Sequence, residues 1–229
     1  MAMGRIHSWE SMGLVDGPGI RTVIFLQGCR LRCRYCHNPD TWELCGGGTL
    51  ESPEEIVNRL MRFKPYYGAD GGVTFSGGEP LLQKEFLTEA LALCKSRGIH
   101  TCLDTAGVGC GGYGEILKNT DLVLLDVKHY TPEGYQAVTS RSMDAYEEFL
   151  DAVQSMEVPL WLRHVVVPGL TDGEDHLAGL AEYVKGIRNV KRVELLPYHV
   201  LGVPKYRAMG IPYPLEGVPP MESGALVQW

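Results

Sequence analysis

Short apolar segments alternate with amphipathic segments along most of the chain. Six of the apolar segments hold hydrophobic residues at consecutive positions, which is typical of strands whose two faces are both covered. They span residues 21–28, 71–77, 100–106, 121–127, 159–167 and 190–198. The segments between them show the spacing of amphipathic helices, so the chain is predicted to be an α/β protein with a parallel sheet.

The start of a helix is clearest near residue 52. Ser52 is a suitable N-cap, Pro53 occupies the first helical position and Glu55 completes a capping box. Further helices are predicted at residues 86–94, 113–119, 143–156 and 174–187. The resulting six strand and helix units are two short of a closed barrel.

Composition narrows the class of protein. The chain has 229 residues, of which 45% are hydrophobic and 21% charged, so we expect one globular domain over residues 1–229. A net charge of −7 argues against nucleic acid as the main partner. No apolar run approaches the ~20 residues of a membrane span and the start has no signal-peptide pattern, which together favour the cytoplasm and no membrane contact.

Polar residues follow or end each predicted strand. Because chemistry in parallel α/β sheets collects at the carboxyl ends of the strands, these residues are expected to meet at one edge. In chain order they are the cysteines from Cys29, residues 76–80, Asp104 and Thr105, Asp126 and Lys128, Arg163 and His164, and His199. Each would cost free energy if buried without a partner, so one shared site is the simplest interpretation.

Three cysteines follow the first strand in the spacing CxxxCxxC, at Cys29, Cys33 and Cys36. A structural zinc site needs four ligands, and a ferredoxin needs a different spacing with a remote fourth cysteine. Three thiolates on a four-iron cluster leave one iron open for another ligand. A catalytic cluster is therefore the favoured interpretation, and a zinc site or a plain electron carrier remains the alternative.

The triplet, with Tyr35 before its last cysteine, resembles the signature of the radical S-adenosylmethionine (SAM) enzymes. More narrowly, the chain is similar to the pyruvate formate-lyase activating family from about residue 12 to residue 206. The similar segments are DGPGIRTVIFLQGCRLRCRYCHNPDTW, GGVTFSGGEPLLQ, LDTAG, DLVLLDVK, RHVVVPGLTD and ELLPYHVLG. The resemblance implies a TIM-like partial (β/α)6 barrel that is open on one side to admit a macromolecular substrate.

The resemblance also implies the chemistry. One [4Fe-4S] cluster, bound by the three cysteines, takes SAM on its open iron and cleaves it reductively to methionine and a 5′-deoxyadenosyl radical. The radical abstracts hydrogen from a backbone glycine of pyruvate formate-lyase, an enzyme of anaerobic glucose metabolism. Two alternatives remain, which are activation of a different glycyl radical enzyme and a non-catalytic iron–sulfur electron carrier.

Roles for further residues are carried over from the same family. Those implied near SAM and the substrate glycine are Lys128, Arg163 and His199. Those implied for the methionine end of SAM are Ser76, Gly77, Gly78 and Glu79, and those implied for adenine are Tyr35, His37 and Asn38.

A monovalent cation, Na⁺ or K⁺, would use Asp104, Thr105, the Leu124 carbonyl and Asp126, since oxygen donors suit hard cations. The turn Asp16, Gly17, Pro18 and Gly19 would border the substrate loop. The alternative for the glycine-rich segments and for Asp104 is an ordinary structural role in a turn or a cap.

Three arginines alternate with the cysteines, at Arg30, Arg32 and Arg34. Their charge is expected to favour thiolates and to attract an acidic flavodoxin- or ferredoxin-like reductant, the alternative being a solvated loop. No cysteine-rich insertion follows the triplet, so a single cluster is predicted, in a chain expected to be a monomer. The partial barrel is predicted to span about residues 20–200. Residues 202–229 are predicted to be an irregular, proline-rich tail where the family continues into a helix.

Overall fold

A computed structural model describes residues 2–222 of the chain. Eight strands form a single open sheet in the order β3-β1-β2-β4-β5-β6-β7-β8. Their bounds are β1 Gly4–Gly13, β2 Arg21–Leu26, β3 Thr49–Glu51, β4 Gly72–Gly77, β5 His100–Thr105, β6 Leu122–Asp126, β7 Leu160–Val166 and β8 Val190–Pro197. The predicted α/β class is confirmed.

The parallel part of the sheet consists of the six predicted strands. β2 pairs with β4, and each strand from β4 to β7 pairs in parallel with the next one along the chain. The two strands that the sequence analysis missed, β1 and β3, are antiparallel and extend the sheet beyond β2. Because β3 and β8 lie at opposite edges, the sheet is an open partial barrel.

Seven helices connect and cover the strands, with bounds α1 Pro53–Phe63, α2 Lys84–Ser96, α3 Gly114–Lys118, α4 Pro132–Thr139, α5 Asp144–Ser155, α6 Glu174–Lys185 and α7 Val203–Met209 within the described residues. The predicted capping box is present, since Glu55 N donates to Ser52 Oγ at 3.3 Å and Ser52 N donates to Glu55 Oε2 at 2.7 Å. The sequence analysis missed α4 and α7.

The two faces of each parallel strand have different surroundings. Leu103, Leu125 and Leu162 belong to the main hydrophobic core, which also contains buried side chains of the helices. Their chain neighbours Asp104 and Asp126, together with Arg163, lie on the opposite face and line a cleft. Side chains alternate between the faces of a strand, so the chain can bury a leucine on one side and place a charge on the other.

The predicted irregular tail is partly wrong. Residues 203–209 form α7, and Tyr206, Tyr213 and Leu215 join a second buried cluster with Tyr35 of the cysteine loop. The Tyr206 ring also meets Trp42 edge-on, with ring centroids 5.8 Å apart. Apolar burial therefore fixes this segment, and residues 223–229 lie outside the described part of the chain. None of the described helices is both long and apolar enough to cross a membrane.

Candidate active site

A cleft of about 410 Å³ lies at the carboxyl ends of the parallel strands. Most of the predicted site residues line it, namely Asp16, Cys29, Cys33, Tyr35, Cys36, His37, Asn38, Ser76, Gly77, Gly78, Asp104, Thr105, Asp126, Lys128, Arg163 and His199. The lining does not include Gly17, Pro18, Gly19, Glu79 and Leu124. The expectation that strand ends bring distant polar residues together therefore holds for most of the set.

The cysteine loop is fixed by backbone hydrogen bonds to the end of α4. Arg32 N donates to Thr139 O at 2.9 Å, and Arg34 N donates to Val138 O at 3.0 Å. The Arg32 guanidinium turns back to the carbonyl of Cys29 at 2.9 Å. These contacts tie the loop that carries the three thiols to a helix that is distant in sequence.

The thiols are held in their neutral form. Burial raises the pKa of Cys29 to about 12 and that of Cys33 to about 11, and it also raises the pKa of Cys36. The prediction that the three arginines favour thiolates is wrong, because Arg30 and Arg32 are exposed to water, Arg34 is half-buried, and burial of the thiols dominates. Lys128 is the cation that opposes the rise at Cys33.

This donor set fits an iron–sulfur cluster. Three thiols face one cleft, and thiolate is the ligand type that binds such clusters. In the described part of the chain, no three His, Cys, Asp or Glu side chains converge closely enough to hold a single ion. In a four-iron cluster each thiolate binds its own iron, so separated sulfurs suit it. Cys29, Cys33 and Cys36 would have to lose their protons to serve as ligands of such a cluster.

Charged side chains form a continuous row beside the cysteines. Arg163 joins two strands, because its Nη2 donates to Asp104 Oδ1 and its Nε donates to Asp126 Oδ1 at 3.2 Å. Lys128 Nζ donates to Asp126 Oδ2 at 2.8 Å, and Ser76 Oγ donates to Asp104 Oδ2 at 2.7 Å. Burial alone would raise the pKa of Asp126, but the two cations outweigh it and lower the pKa to about 2.

This row bears on the predicted cation site. Both carboxylates are already paired with Arg163, so a bound cation would compete with the guanidinium. The Thr105 hydroxyl donates to Glu79, and Leu124, whose carbonyl is the predicted ligand, is fully buried and does not line the cleft. The cation therefore stays a prediction.

Glu79 does not line the cleft, which corrects its predicted place at the methionine end of SAM. Its side chain is buried and accepts hydrogen bonds from Thr105 Oγ1 and from the backbone N–H groups of Leu81 at 3.1 Å, Ala106 at 3.0 Å and Val108 at 3.4 Å. The carboxylate therefore organises the loop after β5. The four donors offset only part of the cost of burial, which still raises the pKa of the Glu79 carboxyl above its ordinary value.

Two adjacent glycines are required by close backbone packing. Gly77 has a φ of +114°, and a Cβ atom there would collide with the backbone of Leu26. At Gly78 a Cβ atom would collide with the carbonyl of Gly28. The tight turn that the sequence analysis kept as an alternative is therefore real, although both glycines also line the cleft.

Two histidines close one end of the cleft. The rings of His37 and His199 stack with their centroids 3.8 Å apart, and His37 Nε2 donates to the His199 carbonyl at 3.0 Å. Burial, and then the neighbouring His199, lower the pKa of His37 to about 4. His199 Nδ1 is buried with no protein partner in residues 2–222, which fits a polar atom of a bound ligand.

The turn Asp16 to Gly19 is held from below by Arg21, which sequence reasoning missed. Arg21 is fully buried, and it donates to Pro18 O at 2.9 Å and to Thr74 Oγ1 at 2.7 Å. Thr74 donates in turn to Asp16 O at 2.7 Å. The available signal was a charged residue that opens an otherwise apolar strand.

Comparison with known proteins agrees with this geometry. The family described as the radical SAM superfamily matches residues 23–181, which include the three cysteines. The chain belongs to the radical SAM superfamily. Its matched segment runs from β2 through most of α6 and thus covers most of the parallel sheet.

Relatives of this radical SAM protein carry a narrower name. It is 57% identical to a pyruvate formate-lyase-activating enzyme of Clostridium pasteurianum, over 97% of this chain and 94% of the relative. It is 45% identical to an enzyme of the same name from Listeria monocytogenes, over 94% of this chain and 90% of the relative. A solved domain of such an enzyme from Bacteroides vulgatus matches with a TM-score of 0.52 and 30% identity, over 56% of this chain and 81% of that one.

The raised pKa of Asp16 leads to a testable prediction about how the stability of this radical SAM protein depends on pH. Burial, together with repulsion from Asp104, raises its pKa to about 6, above the ordinary value of 3.8. Between these values the native state holds a proton that the unfolded state has lost, so ionisation of Asp16 costs stability as pH rises. We expect the metal-free wild type to lose stability relative to Asp16→Asn from about pH 4 to about pH 6.

Urea denaturation across this pH range measures the effect. Asp70→Asn is the matched control, because Asp70 is exposed and its variant should follow the wild-type curve. Parallel curves for wild type and Asp16→Asn would show that the carboxyl is not perturbed.

Proposed function

We propose that this radical SAM protein activates a pyruvate formate-lyase by generating a glycyl radical on it. The observation that supports this proposal is that one cleft, beside an open edge of the sheet, is lined by three cysteine thiols and by a row of ion-paired side chains. The high identity to pyruvate formate-lyase-activating enzymes supports this choice of partner.

The three cysteines would hold one [4Fe-4S] cluster. When bound, cluster and SAM together supply a 5′-deoxyadenosyl radical that can abstract hydrogen from a glycine. The remaining work belongs to the chain, which binds, orients and excludes water. Arg163 and Lys128 offer donors for a carboxylate, while the stacked His37 and His199 offer a flat surface for a nucleoside.

The substrate is proposed to enter past the Asp16 to Gly19 turn. Asp16 lines the cleft, while Leu14 and Val15 just before it are 71% and 80% exposed. Large exposed apolar side chains beside a cleft are suited to contact a segment of a macromolecule. Arg21 keeps the turn in place, so a bound peptide would meet a preformed wall.

Reductive cleavage of SAM is the first test. After anaerobic reconstitution and reduction, the wild type should form 5′-deoxyadenosine, and Cys33→Ala should form none because the cluster loses a ligand. Cys45→Ala is the matched control, since Cys45 is exposed and does not line the cleft. Liquid chromatography of the nucleoside measures the product. No product from a wild type with a verified cluster would favour the electron-carrier alternative.

The partner is tested separately. Purified pyruvate formate-lyase, mixed with the reduced enzyme and SAM, should develop the electron paramagnetic resonance doublet of a glycyl radical. A variant partner with alanine at its radical-bearing glycine should remain silent. A radical that appears only on another glycyl radical enzyme would reassign the partner and leave the cleavage chemistry intact.

A monovalent cation beside Asp104 and Asp126 is proposed as a further component. It would offset part of the carboxylate charge that Arg163 now neutralises. The cleavage assay tests it if Na⁺ and K⁺ are replaced by tetramethylammonium, which is too large for such a site. Unchanged rates would remove the cation from the proposal.

The reductant is proposed to be a small acidic flavodoxin or ferredoxin. Arg30 is exposed at the cysteine loop, and Arg32 lies over the Trp42 ring at 4.6 Å. Cluster reduction should slow with added salt and in Arg30→Ala, because steering between opposite charges is screened. A reduction rate that is the same after both changes would contradict this proposal.

We further propose that the enzyme acts as a cytoplasmic monomer. Light scattering tests its mass, and cell fractionation tests its location.

A further inference from the structure

Helix α7 places a lysine against the segment that follows the cysteine loop. Lys205 Nζ donates to Asn38 Oδ1 at 2.8 Å and lies 3.0 and 3.1 Å from the two carboxylate oxygens of Asp40. Asp40 is held in turn by His7, whose Nε2 is 3.1 Å from Oδ2. These acceptors can engage all three protons of the ammonium group, so the position of Nζ is well defined.

The orientation of the Asn38 amide follows from the chemistry of lysine. An ammonium group only donates, so the atom that faces it must be the amide oxygen and not the NH₂ group. The Asn38 backbone is fixed independently, because its carbonyl accepts from Thr41 N at 3.0 Å and from Thr41 Oγ1 at 2.7 Å. Only the rotation of the amide is left for Lys205 to set.

The other end of the amide is free to meet a ligand. Asn38 lines the cleft, and Nδ2 donates to none of the residues that the structure describes. A rotating amide could offer either an acceptor or a donor to a ligand. With its oxygen held by Lys205, it can offer only a donor.

We propose that Lys205 is a positioning residue that turns the Asn38 NH₂ group toward the cleft, where it selects a hydrogen-bond acceptor on the adenine base of SAM. This inference rests on the proposed function, because it takes SAM as the ligand. The acceptors of adenine are its three ring nitrogens, whereas its amino group is a donor that Asn38 would not satisfy in this orientation.

Binding of radiolabelled SAM to the reconstituted holoenzyme tests the role of the ammonium. Lys205→Met removes the donor but keeps an apolar stem, and it should weaken SAM binding about tenfold, as loss of one positioned hydrogen bond does. Lys205→Arg keeps a donor and should recover most of the affinity. Arg207→Met is the control on the same helix, since Arg207 is exposed and, within residues 2–222, its one ion pair is with Glu216 at 3.9 Å.

Analogues separate positioning from a general loss of structure. Three SAM analogues, each with carbon in place of one adenine ring nitrogen, remove one acceptor at a time. The wild type should bind one of them about tenfold more weakly than SAM. Lys205→Met should lose this discrimination, whereas a loosened helix would lower the affinity for all four ligands alike.

Asn38→Asp gives a second route that leaves α7 untouched. It keeps an oxygen for Lys205 but replaces the NH₂ group by an acceptor, so it should lose the same discrimination. The proposal is overturned if the wild type treats the three analogues alike, or if either variant discriminates as the wild type does. A wild type that binds SAM without cleaving it would instead refute the proposed function alone.

Discussion

Charge neutralisation inside the cleft is the constraint on which the rest of the site depends. Asp104 and Asp126 lie on neighbouring strands and would each cost several kcal/mol if ionised and unpaired in such a place. Arg163 spans the two strands and Lys128 takes the remaining oxygen of Asp126. The sheet can therefore keep two acids at its carboxyl edge because the next strand supplies Arg163, which is in register with Asp126 and also reaches Asp104.

The cysteine loop is fixed from two sides. The end of α4 accepts its backbone hydrogen bonds, and the cluster of tyrosines around α7 packs against Tyr35. Both supports come from segments that are distant in sequence. A loop held from two sides has less conformational entropy to lose when it binds a ligand.

The parallel strands were predictable because β2, β4, β5 and β6 are buried at most positions and apolar at consecutive ones. β8 lies at the edge and has no fully buried residue, so only its apolar sequence indicated it. β1 escaped prediction since it pairs antiparallel near the edge, with many half-exposed polar side chains. The position of the site could be predicted from the ends of the strands, and Asp104, Asp126 and Arg163 do lie together there. Glu79 could not be placed in this way, because its partners are backbone N–H groups of two loops. Lys205 was equally hidden, since nothing in a proline-rich tail indicates that it reaches Asn38.

The neutral state of the buried thiols has a consequence for the chain without its irons. Oxidants and disulfides attack thiolates far faster than thiols. With the pKa of Cys29 at about 12 and that of Cys33 at about 11, hardly any thiolate exists at neutral pH. Without its irons the chain therefore presents Cys29 and Cys33 as thiols of low nucleophilicity, because burial stabilises the protonated form of each.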